Sequence, residues 1–107
     1  MNFTRTKIIC TIGPATQDIG SLRRLHKSGM NVARINMSHA THKSAKAVID
    51  KIHKINNDSK FNYGKIGILL DTQGPEIRTG DTELTMDLKV GDEVTLTVRD
   101  QVDVETS

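Results

Sequence analysis

The chain has 107 residues, 26% charged and 36% hydrophobic, with a formal net charge of +2, which is enough for one modest globular domain. Phe3, Phe61 and Tyr63 are its only aromatic residues besides histidine, too few for a nucleic-acid surface built on base stacking. Cys10 is the sole cysteine, which excludes an internal disulfide and a cysteine metal cluster, and no apolar run nears the ~18 residues of a membrane span.

Residues 1–7 run into a strand-like segment without the apolar core of a signal peptide, so a cytoplasmic location is expected. The β-rich run 7–12, stopped by Gly13-Pro14, predicts a buried strand followed by a tight turn. A helix fits from Asp18 as N-cap, with Ile19, Leu22 and Leu25 three apart and Gly29 as its stop. Residues 31–37 read as a second strand.

Thr41 can cap a second helix, on which Ala45, Val48, Ile49, Ile52 and Ile55 form one core-facing stripe. The polar string 56–60 ends it. Residues 65–71 predict a third buried strand, closed by the carboxylate of Asp71. This βαβαβ order is the pattern of a parallel sheet.

Beyond Gly80 the period changes. Leu84, Met86, Leu88 and Val90, then Val94, Leu96 and Val98, alternate with polar residues around Gly91-Asp92. The expectation is an antiparallel β segment with one wet face. Charge changes at the same place: residues 1–80 hold 13 Lys and Arg against 5 Asp and Glu, and residues 81–107 hold 2 against 8. A module boundary is therefore expected there, with residues 1–80 and 81–107 as separate domains. The basic half spreads Lys43, Lys46, Lys51 and Lys54 over a helix surface, which reads as a solvated face, not a nucleic-acid footprint.

In parallel α/β folds the site lies at the carboxyl ends of the strands. Arg34, Asn36 and Ser38 are two apart, so an extended strand puts a guanidinium, an amide and a hydroxyl on one face. That face is either a wet edge or a binding surface. Asn36, Ser38, Asp71 and the Thr72 carbonyl are hard oxygen donors with one full charge between them. They suit a monovalent cation or a weak divalent site better than zinc or copper. Arg34 and Arg78 can each fork onto phosphate oxygens, and arginines beside a cation are what phosphoryl transfer requires. Each residue also has a plainer role, Asp71 as a turn former and Arg78 as a surface ion-pair partner, and His39 and His42 lack the cysteine partner and ligand frame of a zinc site. Asp71-Thr72-Gln73-Gly74 resembles the Asp-x-x-Gly of GTPases, but no phosphate loop precedes it. The first turn, Gly13-Pro14-Ala15-Thr16, lacks the dinucleotide glycine pattern.

Three blocks together resemble the pyruvate kinase family. They are Thr6-Lys7-Ile8-Ile9-Cys10-Thr11-Ile12-Gly13-Pro14-Ala15, Gly29-Met30-Asn31-Val32-Ala33-Arg34-Ile35-Asn36-Met37-Ser38-His39, and Leu69-Leu70-Asp71-Thr72-Gln73-Gly74-Pro75-Glu76-Ile77-Arg78-Thr79-Gly80. The resemblance implies an α/β fold, the first βαβαβ part of a (β/α)8 TIM barrel, followed by the start of an inserted β-rich lid. It implies phosphoryl transfer from phosphoenolpyruvate to ADP, giving pyruvate and ATP, by an enzyme that is a homotetramer at full length. Carried over by position, Arg34 would touch the transferring phosphate. Asn36, Ser38, Asp71 and the Thr72 carbonyl would hold K⁺. Asn36, Met37, Ser38, His39 and Arg78 would contact the nucleotide, and Glu76 marks the K⁺-dependent branch.

Gln73, Ala40 and Met37 depart from the family's usual Lys, Gly and Phe. The family's catalytic Lys and its two acidic Mg²⁺ ligands lie beyond the equivalent of Ser107, so the 107 residues are expected to be an N-terminal portion, inactive alone. A small non-catalytic module that binds a phosphometabolite would share Arg34 and Arg78. A receiver-like domain would need an acidic pair where Gly13-Pro14 stands.

Overall fold

Residues 4–81 and 85–98 are described by the computed structural model of the chain. The chain forms two compact units, Met1–Pro75 and Glu76–Ser107. The first unit runs β1 (Ile8–Thr11), α1 (Ile19–Lys27), β2 (Met30–Asn36), α2 (His42–Asn56) and β3 (Gly67–Asp71). The three strands make one parallel sheet in the order β1-β2-β3.

Local chemistry starts and stops the helices. The Asp18 carboxylate accepts the Ser21 amide at 2.9 Å and caps α1. Thr41 and Ser44 cap α2 reciprocally: Thr41 Oγ1 accepts the Ser44 amide at 3.1 Å, and Ser44 Oγ accepts the Thr41 amide at 2.9 Å. That capping box satisfies two amides that the first turn leaves without helical partners. Gly29, at φ 116°, takes the left-handed conformation that lets the chain turn from α1 into β2 within two residues. Asn56, the last residue of α2, holds Ile66 by both of its backbone groups, donating to the carbonyl at 3.0 Å and accepting from the amide at 2.8 Å. It thereby sets the start of β3.

Both helices lie on one side of the sheet. The core between them holds Ile12, Leu22, Met30, Ala33, Ile35, Ala45, Val48, Ile52, Ile55 and Ile66, with Ile49 and Met37 packed against it. Ala33, Ile35 and Met37 thus point toward the helices, and alternation sends Arg34 and Asn36 to the opposite face.

Three expectations change. The flanking strands are not buried: Ile8 and Ile9 of β1 and Leu69 and Leu70 of β3 are all exposed. With two helices on one face, only β2 has neighbours on both sides. The second strand stops at Asn36, and residues 37–39 form a turn. The Asn36 side chain accepts the Ser38 amide at 3.1 Å, and its carbonyl accepts the amides of His39 and Ala40. A side-chain bond of this kind offers the backbone an alternative to the ladder.

Third, the described part of the tail forms no strand. Leu88, Val94, Leu96 and Val98 are exposed, and alternation without an apolar surface to cover does not hold a hairpin. The turn at Gly91-Asp92 does form, with Lys89 and Asp92 joined by two hydrogen bonds. Leu84 and the 104–107 end lie outside the described residues.

Candidate functional site

The register of the sheet assembles a polar cluster at the carboxyl ends of its strands. Thr11 is paired with Arg34, Arg34 with Leu69, and Asn36 with Asp71. Backbone bonds carry both ladders past the strand ends: Ile12 N–H donates to Arg34 O at 2.9 Å, and Met37 N–H to Asp71 O at 3.0 Å. Side chains at these positions therefore share the face away from the helices.

Arg34 is held by both neighbouring strands. Its Nε and Nη2 donate to Asp71 Oδ2, at 3.0 and 2.5 Å, and its Nη1 donates to Thr11 Oγ1 at 2.9 Å. The Arg34 side chain is 30% exposed and that of Asp71 47%. An ion pair this wet is worth about 0–1 kcal/mol, so its effect is orientation more than stability. Donors remain: Nη1 and Nη2 each keep one N–H for a ligand.

Asp71 spends only Oδ2 on the arginine, and among the described residues Oδ1 takes no hydrogen bond. Ser38 Oγ makes no hydrogen bond among the described residues, and Asn36 Oδ1, occupied by the Ser38 amide, retains a lone pair. Thr72 continues in exposed chain just past β3. These neutral oxygens and one carboxylate fit a weakly bound hard cation. Among the described residues no three His, Cys, Asp or Glu come together as metal ligands.

Of the residues expected at the site, Arg34 and Asp71 meet directly, and Asn36 and Ser38 meet through the turn. His39 is exposed on that turn, while the Met37 side chain packs against the core. Glu76 and Arg78 belong to the second unit, where Arg78 Nη1 lies 3.5 Å from Glu76 Oε1. Thr11 is the residue that sequence reasoning missed. Its signal was present, a hydroxyl at the last position of a strand. Its partner depends on the β1–β2 register, which slips between Ile8 and Ile9, where the Asn31 side chain accepts the Ile8 amide at 2.8 Å.

The family described as "Pyruvate kinase, barrel domain" matches residues 3–107. Plastidial pyruvate kinase 2 of Arabidopsis thaliana is 47% identical over 94 residues, which are 88% of this chain and 16% of that protein. A pyruvate kinase of Staphylococcus haemolyticus is 56% identical over 78 residues, 72% of this chain and 13% of that protein. Among solved structures, a pyruvate kinase from Cryptosporidium parvum superposes with a TM-score of 0.62 at 45% identity, covering 73% of this chain and 15% of that one. The chain thus spans less than a fifth of the length of each of these relatives.

Proposed function

The chain belongs to the pyruvate kinase family, and on that premise we propose that its site serves phosphoryl transfer from phosphoenolpyruvate to ADP, giving pyruvate and ATP. One observation carries the reading. Arg34, Asp71 and Thr11 arrive from three strand ends and present a fixed guanidinium beside open oxygen donors. Phosphoryl transfer depends chiefly on positioning and on neutralising spread negative charge.

In this reading Arg34 contacts the transferring phosphate through its remaining N–H groups. Asn36, Ser38, Asp71 and the Thr72 carbonyl hold K⁺, which supplies positive charge beside the phosphate. Glu76 stands where the K⁺-dependent branch of the family has it; a Lys there would supply the charge itself. Asn36, Ser38 and His39 contact the nucleotide, with Met37 contributing through its backbone alone because its side chain packs against the core. Arg78, in the second unit, keeps the nucleotide-phosphate role that the family's pattern gives its position. The family also uses Mg²⁺, and we assign it no ligands among these residues. We further propose residues 1–80 as the opening part of the (β/α)8 barrel and residues 81–107 as the start of the lid. Assembly as a homotetramer at full length and a cytoplasmic, glycolytic setting complete the reading. Among the described residues no helix is long and apolar enough to cross a membrane.

A chimera tests this. The matching residues of the Staphylococcus haemolyticus enzyme are replaced by residues 1–80 of this chain, and pyruvate formation is followed in a coupled assay with Mg²⁺ and K⁺. The chimera is expected to turn over. Arg34→Leu in it should lower kcat/KM by at least about 100-fold, as expected when a charged group on the transferring phosphate is lost. Asp71→Asn should raise the K⁺ concentration needed for activity. A folded chimera with no turnover, or one indifferent to Arg34→Leu, would overturn the proposal.

A further inference from the structure

We infer that Thr11 is a positioning residue for Arg34: from the end of β1 its hydroxyl fixes the guanidinium on the side Asp71 does not reach, aiming the remaining N–H groups at a phosphate. The inference rests on the reading of Arg34 as a phosphate ligand.

Asp71 receives Nε and Nη2 on a single oxygen. Two donors meeting at one point leave the guanidinium plane free to rock about that point. The bond from Nη1 to Thr11 Oγ1, at 2.9 Å, adds a contact from the opposite strand and removes that freedom. The backbone fixes its length, because Thr11 and Arg34 are ladder partners. A threonine is suited to the task, since β-branching restricts χ1 and holds the hydroxyl in place. Packing does not explain the residue: Thr11 is exposed, and its hydroxyl makes no other hydrogen bond among the described residues. The hydroxyl accepts from Arg34, so its own proton stays available to the same ligand.

The test follows the Arg34 Nε–Hε resonance of the ¹⁵N-labelled chain while phosphoenolpyruvate, and separately inorganic phosphate, is titrated. Wild type is compared with Thr11→Val, Thr11→Ala and Thr11→Ser. Wild type and Thr11→Ser should shift the resonance with similar affinities. Thr11→Val and Thr11→Ala should bind about ten-fold more weakly, the scale of one hydrogen bond to a charged group. Their ligand-free Arg34 resonance should also move, with thermal midpoints near wild type. Wild-type affinity and an unmoved resonance in both variants would remove Thr11 from the site and leave the Arg34 reading standing. A wild-type resonance that responds to neither ligand would overturn the Arg34 reading and this inference with it. Unfolding of both variants would make the hydroxyl a structural group and overturn the inference alone.

Discussion

Single residues here divide by how much water they keep. Arg34 and Asp71 are partly solvated, so the pair adds little stability and its loss should be felt in ligand binding. His26 is the opposite case. It is 4% exposed, its Nδ1 is buried with no hydrogen-bond partner among the described residues, and its ring meets Tyr63 edge-on at 5.8 Å. Burial pushes its pKa below the usual 6.5, against the opposing pull of backbone hydrogen bonds with Gly64 and Tyr63. As pH falls past 6.5 the unfolded chain therefore takes up a proton at His26 more readily than the native chain does. Below pH 6.5 the unfolded state binds more protons, so stability falls as pH falls. Asp18 adds a loss at lower pH. Hydrogen bonds from the Ser21 side chain and then its backbone hold the Asp18 carboxyl below 3.8. Its contribution is full above that value and disappears as pH drops through the native pKa. Urea midpoints measured from pH 7.5 to 5.0 should decline, and His26→Gln should flatten the slope. An unchanged slope in that variant would assign the decline to other groups.

Elements differ in how far their neighbours decide them. The helices were legible because their signals are local: Asp18 and Thr41 cap where expected, and Ala45, Val48, Ile52 and Ile55 are buried on one stripe. Strand burial was not legible, because residues 7–12 and 65–71 are apolar whether or not anything covers them. The alternation beyond residue 84 misled for the same reason, stating which face would be buried without supplying a surface to bury it. Thr11 joined the site through an inter-strand register that one strand's residues do not encode. Substitutions should follow this division. Ile52, fully buried, should cost about 2–5 kcal/mol as Ile52→Ala. Thr41→Ala, which removes an exposed cap, should cost about 1 kcal/mol. Equilibrium urea unfolding of the two variants checks the order, and equal losses would mean that α2 is not held mainly by its core face.

At the scale of the whole chain, the described sheet of the first unit ends in two open edges. β1 and β3 each have one ladder neighbour, and Ile8, Ile9, Leu69 and Leu70 lie exposed on them. Open edges beside apolar side chains invite pairing with another chain. The 107-residue chain should therefore associate with rising concentration, as sedimentation velocity would register. A monomer at every concentration, melting in one cooperative transition, would contradict this. The arginine that bridges β1, β2 and β3 has a consequence of its own. Any anion that Arg34 takes up in the native state, and not in the unfolded one, enters the folding equilibrium by mass action. Filling the site with such an anion then favours the state in which all three strands are joined, so the anion's concentration helps to set the folded fraction of the sheet.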